Sequence, residues 1–240
     1  MRRLRVFHDG ASTGAVNMDR DASLLAGHTP GADPILRLYR WEPAAVTIGY
    51  NQDFSDFDEV AIGAAGFDLV RRPTGGRAIL HADELTYAVI GTSPGPVFGA
   101  SLHETYMKIN QALLAFLADL GIAADISQGE SREEARGLVC FRSAGRHEVS
   151  VGGRKVVGSA QRRTGGVFLQ HGSILAGPRH LELPSLLRGG AAGEPAELAA
   201  VTTDLGQLLG APQSGADLDR LALRLAGAFS RILGLEIQVG

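Results

Sequence analysis

Two runs of strand-forming residues, His147 to Val151 and Arg154 to Val157, stand only Gly152-Gly153 apart. A parallel pair needs a crossover of a dozen or more residues, whereas a two-residue glycine loop closes an antiparallel hairpin. Part of the sheet must therefore be built from neighbouring antiparallel strands. Further alternating or β-branched runs, bounded by Gly, Pro or Asp, predict strands at Leu4 to His8, Pro34 to Tyr39, Ala45 to Ile48, Phe67 to Arg71, Arg77 to Leu80, Leu85 to Ile90 and within Gly165 to Leu175.

Helical periodicity is clearest from Leu102 to Leu120, where Leu102, Tyr106, Ile109, Leu113, Phe116 and Leu120 recur at three and four. Ser101 with Glu104 makes a capping box, and Gly121 is the stop. A second helix is expected over Asp217 to Leu233, with Leu218, Leu221, Leu225, Ala228 and Ile232 on one stripe and Gly234 after it, and a third over Val16 to Ala26. Helices fall between groups of strands, so the expected class is α+β: a mixed, mostly antiparallel sheet flanked by helices. The stretch Arg188 to Ala200, rich in Gly, Ala and Pro, reads as a loop leading to a helical tail. One domain over residues 1–240 is expected, with a core over about 1–178 and the loop and tail over about 179–240.

Composition narrows the function classes. Hydrophobic residues are 45% and charged residues 20%, and 23 Lys+Arg against 26 Asp+Glu leave a net charge of -3, which argues against disorder and against general nucleic-acid binding. The 32 glycines are about twice the usual share and point to tight turns or close backbone approach to a ligand. A single cysteine makes no internal disulfide and no Cys-based zinc site, so a reducing, cytoplasmic setting is expected. The basic start MRRLRVFHDGAS has no apolar run after it, and Ala112 to Ala118 is cut short by Asp119, so neither a signal peptide nor a membrane span is expected.

No P-loop, dinucleotide fingerprint, HExxH, GxSxG or EF-hand pattern occurs. Three polar, glycine-containing blocks remain. In the first, Arg71-Arg72-Pro73-Thr74-Gly75-Gly76-Arg77, the glycines let backbone N–H groups approach a ligand while the arginines supply charge for a carboxylate, phosphate or polarised carbonyl; the alternative is a turn with solvated arginines. The second block runs from Gly153 through Lys155, Gly158 and Ser159 to Gln161. Lys155, flanked by Val156 and Val157, could be held in a partly apolar pocket beside a thiolate or oxyanion, or could be a hairpin lysine in water. The third block is Leu169-Gln170-His171-Gly172-Ser173-Ile174-Leu175. His81 and His171 each adjoin an apolar run and default to structural histidines, and Cys140, in Leu138-Val139-Cys140-Phe141, defaults to a small buried hydrophobe.

Taken in order, RRPTGGRAILHADELTYAVIG, VCF, GRKVVGSAQ and LQHGSIL resemble the biotin/lipoate protein ligase and octanoyltransferase superfamily, closest to the octanoyltransferase branch with a cysteine nucleophile. The resemblance runs from about Asn17 through Leu175. It implies the ligase-like catalytic fold and transfer of an octanoyl group from octanoyl-acyl carrier protein to a lysine of a lipoyl domain, of the glycine cleavage H protein type. It also implies that Cys140 carries the acyl thioester and that Lys155 lowers the thiol pKa and contacts the acyl carbonyl. Arg71, Arg72, Thr74, Gly75, Gly76 and Arg77, with His81, would wall the acyl pocket, and Gly158, Ser159, Gln170, His171 and Gly172 would face it. No cofactor or metal follows from this reading, because exchange between thioesters is nearly isoenergetic and parking the acyl group on the enzyme splits transfer into two encounters. An octanoyl tail buries about seven apolar carbons, an upper bound on the order of 5 kcal/mol.

The ATP-dependent ligase branch shows a third glycine where this chain has Arg77 and carries an added C-terminal domain that 240 residues scarcely accommodate, so the transferase is favoured. The basic segment Phe141 to His147 stands where an aromatic and a proline are expected near the thiol. A single-domain lipoate ligase and a non-catalytic binding module for lipoyl domains or acyl carriers remain the alternatives.

Overall fold

Thr13 accepts the Val16 amide on its hydroxyl and so starts the first helix, α1 (Gly14–Gly27). The computed structural model describes residues 2–127, 148–188 and 195–240. Its strands are β1 (Arg3–Ser12), β2 (Ile35–Trp41), β3 (Ala45–Ile48), β4 (Asp68–Arg71), β5 (Ile79–His81), β6 (Glu84–Thr92), β7 (Asp125–Ile126), β8 (Val149–Val151), β9 (Arg154–Thr164), β10 (Val167–Leu175) and β11 (Glu236–Val239). The remaining helices are α2 (Glu59–Ala64), α3 (Leu102–Asp119), α4 (Pro195–Val201), α5 (Leu205–Leu209) and α6 (Gly215–Leu233), with 3-10 turns over Phe54–Asp56 and Pro178–Leu186.

An eight-stranded sheet has the order β11-β1-β2-β6-β10-β9-β8-β7, and a three-stranded sheet the order β4-β3-β5. The large sheet is mixed: β1 runs parallel to both β11 and β2, while the other pairs are antiparallel. The expected α+β class, with a mixed and mostly antiparallel sheet, is what the chain forms. Gly152 and Gly153, both at positive φ, close the β8–β9 hairpin as their spacing predicts. Gly165 and Gly166 close β9 to β10 in the same way, so Gly165 is a turn residue and not the start of a strand.

One face of the large sheet buries Leu36, Leu38, Leu85, Tyr87 and Val89 under Ile109, Leu113 and Phe116 of α3 and Leu221, Leu225 and Phe229 of α6. Each such side chain contributes roughly 1.5–3 kcal/mol on burial. The capping box of Ser101 and Glu104 is present, and a second, of Ser214 and Asp217, starts α6 two residues before the expected Asp217. The other face packs Ile35, Tyr39, Trp41, Ala88, Ile90 and Leu169 against Met18 and Leu25 of α1.

Two expectations about the C-terminal part need correction. Residues 195–200 of the expected loop belong to α4, and the tail does not end as a helix: β11 follows Gly234 and joins β1 at the sheet edge. The periodicity of Glu236–Val239 is too short to read, and its partner lies at the other end of the chain. No helix among the described residues is long and apolar enough to cross a membrane.

Candidate active site

Strand pairing aligns a row of side chains across the large sheet. Tyr39 of β2 stands opposite Thr86 of β6, Thr86 opposite Ser173 of β10, and Ser173 opposite Gly158 of β9, with His171 and Ala160 paired in the next row on the same face. Small residues at Gly158 and Ala160 leave room there. Met18 of α1, Trp41, Ile79, His81 and Arg72 complete a narrow cavity whose free volume is about 20 Å³, slightly more than one water position needs. It is a slot, mostly apolar, and Met18 and Arg72 also line an open surface groove with Tyr50, Arg71, Pro73 and Arg162.

The glycine loop after β4 is held from within by its own arginines. Arg72, only 2% exposed, donates to the carbonyls of Gly75 at 2.8 Å, Arg77 at 2.7 Å and Thr47 at 3.2 Å. Arg71 donates to the carbonyls of Gly49, Tyr50 and Gln52 and lies over the Phe54 ring. Neither guanidinium is the solvated turn arginine that the sequence left open. Gly49 and Gly76 meet so closely that a Cβ on Gly49 would stand 1.8 Å from the Gly76 oxygen, and Gly76 itself takes φ +92°.

Both histidines sit in carboxylate–imidazole–hydroxyl chains. His81 Nδ1 lies 2.8 Å from Glu84 Oε1 and Nε2 lies 2.8 Å from Thr47 Oγ1, with the ring stacked on Trp41 at 4.1 Å. His171 Nδ1 lies 2.9 Å from Asp21 Oδ2 and Nε2 lies 2.6 Å from Thr74 Oγ1. Burial, opposed by the hydrogen bond and charge of Asp21, holds His171 below the usual imidazole range, which favours the neutral ring at pH 7. Burial alone would raise the Asp21 carboxyl; the hydrogen bond from His171 and the charge and hydrogen bond of Arg37 outweigh it and keep the group ionised. Tyr39, buried and donating to Asp21, stays protonated, its pKa pushed well up by burial first and by the carboxylate second.

The alternation of β9 and β10 separates residues that the sequence grouped together. Ser159 Oγ meets Tyr87 Oη at 2.6 Å, and Gln170 donates to Tyr87 Oη at 3.2 Å while accepting from Gln161. These side chains point to the face opposite His171 and Ser173. Burial raises the Tyr87 phenol to about 12, the hydrogen bonds opposing it. Gly172 has no side chain because a Cβ there would come 2.6 Å from the Gly158 oxygen and 2.7 Å from the Tyr87 ring. Lys155 is 1% exposed and paired with Glu148, so it is not a hairpin lysine in water, and it does not line the slot. Cys140 and the segment Phe141 to His147 lie outside the described residues.

Residues 13–230 match the family described as the lipoyl protein ligase A/B catalytic domain. The chain belongs to that family. It is similar to an octanoyltransferase LipM of Symbiobacterium thermophilum, 41% identical over 253 residues that cover 98% of this chain and 88% of the relative. An octanoyltransferase LipM of Kyrpidia tusciae is 36% identical over 251 residues, covering 100% and 90%. Among solved structures, a lipoate-protein ligase A bound with ATP superposes with a TM-score of 0.79 at 21% identity, covering 100% of this chain and 88% of that one. A putative lipoate protein ligase of T. acidophilum with bound lipoic acid gives 0.77 at 21%, with the same coverage. At that identity the two structures speak for the fold alone.

Within this lipoyl protein ligase A/B catalytic domain, several slot and supporting residues escape sequence reasoning. Tyr39 and Trp41 look like ordinary strand hydrophobes. Asp21 sits on a helix face far from any motif, Ser173 meets His81 and Glu84 only through the pairing of distant strands, Glu148 meets Lys155 across a hairpin, and Glu84 meets His81 and Thr86 close by in the chain. Glu84 and Ser173 do lie inside the quoted motifs, at alternate positions from neighbours that line the slot, and period-two spacing is the signal that could have found them. Among the described residues no three His, Cys, Asp or Glu side chains could hold a metal ion.

Proposed function

We propose that this chain is an octanoyltransferase that moves an octanoyl group from octanoyl-acyl carrier protein to a lysine of a lipoyl-domain protein, such as the glycine cleavage H protein, through a thioester on Cys140. The observation that carries the reading is the identity of 36–41% to octanoyltransferases LipM over nearly the whole of both chains. In the first step the Cys140 thiolate attacks the donor thioester carbonyl; the new C–S bond forms as the bond to the carrier sulfur breaks, and the carrier thiolate leaves and takes a proton. In the second, the acceptor lysine ε-amine attacks the Cys140 thioester, an amide C–N bond forms, and Cys140 recovers the thiol with the proton that the amine loses. Thioester exchange followed by amide formation runs downhill without nucleotide or metal.

Lys155 is the cation assigned to Cys140, since an ammonium beside a thiol favours the thiolate; its pairing with Glu148 supports a fixed orientation of the ammonium. The slot bounded by Met18, Tyr39, Trp41, Ile79, His81, His171, Gly158 and Gly172 is assigned to the acyl tail, supported by its mostly apolar lining; at about 20 Å³ it must widen to admit seven carbons. The loop from Arg71 through Arg72, Thr74, Gly75 and Gly76 to Arg77 walls its mouth. Ser159 and Gln170 serve the site from behind, through Tyr87. Residues 1–240 act as one catalytic unit, a reading supported by the pairing of β11 with β1 and the packing of α6 on the main core, and the setting is the cytoplasm, a reading supported by the single cysteine.

The test is acyl-enzyme mass spectrometry with octanoyl carrier protein alone. One octanoyl mass on Cys140, and none on Cys140→Ser or Cys140→Ala, is the expected result. Modification of a lipoyl-domain lysine only when octanoate, ATP and magnesium are supplied would instead identify a ligase.

A further inference from the structure

Asp21 is fully buried on the inner side of α1, and none of its contacts is explained by acyl chemistry. Its Oδ1 accepts from Arg37 Nη1 at 2.7 Å, and its Oδ2 accepts from Tyr39 Oη at 2.9 Å and faces His171 Nδ1. An ionised carboxylate has no proton to donate, so the contact with His171 requires the imidazole proton on Nδ1. In a neutral ring Nε2 is then an acceptor, and the Thr74 hydroxyl, 2.6 Å away, is its donor. Thr74 is 0% exposed, its carbonyl accepts the Tyr50 amide at 2.9 Å, and Gly75 and Gly76 follow it directly. The chain of hydrogen bonds thus has one polarity and ends on the glycine loop beside the slot.

We propose that Asp21 is a positioning residue for acyl transfer: acting through His171, it selects the tautomer that receives the Thr74 hydroxyl and so holds the turn of Thr74, Gly75 and Gly76 against the slot. The rate consequence rests on the octanoyl-transfer reading; the structural consequence does not. Arg37 donates to the Oδ1 position, so in Asp21→Asn the amide oxygen stays there and the amide nitrogen takes the place of Oδ2. A donor then faces His171 Nδ1, the ring proton must move to Nε2, and the Thr74 bond reverses: Nε2–H donates to Oγ1 and the buried hydroxyl proton loses this acceptor.

The experiment compares wild type with Asp21→Asn, Thr74→Val and Thr74→Ser. Nitrogen NMR of the substrate-free protein should find the His171 proton on Nδ1 in wild type and on Nε2 in Asp21→Asn. Hydrogen exchange at the Gly75 and Gly76 amides should quicken in Asp21→Asn and Thr74→Val and return to wild-type protection in Thr74→Ser. With octanoyl carrier protein as donor, kcat should fall on the order of 10²-fold in the first two variants, as a small misplacement at a reacting site does, while KM holds, and Thr74→Ser should restore it. An unchanged tautomer in Asp21→Asn, or wild-type loop protection and kcat in Thr74→Val, overturns the assignment. Should Asp21→Asn not fold, the wild-type tautomer and the Thr74 pair decide together: a His171 proton on Nε2 in wild type overturns the assignment, and neither measurement disturbs Arg37. A wild-type protein that takes up no octanoyl mass overturns the transfer reading and leaves the ring and amide measurements to judge Asp21.

Discussion

Lys155 donates to Glu148 inside the protein, the lysine 1% and the glutamate 7% exposed, across the β8–β9 hairpin. Removing one member of a buried pair leaves a charge without its counter-ion, which destabilises by about 3–5 kcal/mol, whereas replacing both with apolar residues of similar size is far milder. Glu148→Ala should therefore lower the urea midpoint sharply, and Glu148→Leu with Lys155→Met should recover much of the loss while losing activity. Equal midpoints for Glu148→Ala and wild type would mean that the pair is solvated.

Gly49 makes a sharper test of the loop. A methyl group there would stand 1.8 Å from the Gly76 carbonyl oxygen, so Gly49→Ala must push the glycine loop outward. Turnover should drop on the order of 10²-fold with far-UV circular dichroism retained. Gly27→Ala, whose added methyl meets nothing within 4 Å, is the control and should keep both.

Trp41 closes the slot, stacked on His81 and bonded through its indole N–H to Thr86 at 2.7 Å. Trp41→Ala should destabilise by about 3–5 kcal/mol and open the slot. Competition between octanoyl and longer acyl donors, read by product mass, should shift toward the longer chain. Unchanged preference would place the acyl tail elsewhere.

Stability should fall as pH drops through the histidine range. Burial, the largest cause for each, holds His28, His171 and His180 below their ordinary 6.5, so the unfolded chain binds more protons than the folded one there. That contribution is complete above 6.5 and is lost as pH falls toward the folded values; the Asp21 carboxyl, lowered from 3.8, adds a further loss below that value. Urea midpoints from about pH 7.5 to about pH 5.5 should decline, and His180→Gln should flatten the slope. A midpoint that is level across this range would contradict the buried neutral imidazoles.

Features set by neighbours in the chain were legible. Ser101 and Glu104, three apart, marked the start of α3, and paired glycines marked the β8–β9 turn because only a positive φ closes so tight a loop. The α3 stripe drifted at its beginning: Leu102 is 47% exposed and Thr105 is buried, because Thr105 Oγ1 donates to the Ser101 carbonyl at 2.9 Å and turns inward. The motifs led to His81, His171, Arg72 and Thr74 and contained some of what holds them, Gly75 and Arg77 for Arg72 and Glu84 for His81, but not the distant partners. Asp21 lies 150 residues from His171, and Thr47 lies 34 from His81. No local pattern relates such pairs; only the packing of α1 and β3 against the sheet does. The same blindness grouped Gln170 with His171, although adjacent strand residues face opposite ways.

The pairing of Arg3 with Glu236 sets an order of events during synthesis. Until the later residues are made, β1 has β2 beside it, but α6 and β11, which follow all the other described elements in chain order, are missing from the sheet and its apolar face. Leu36, Leu38 and Tyr87 then lie under α3 without their second cover, so the nascent chain presents an unfinished hydrophobic surface until residues 218–229 clear the exit tunnel. Completion of the sheet and of its apolar cover therefore waits for these residues, and a chain stalled before position 218 should be more prone to aggregate than one that has passed it.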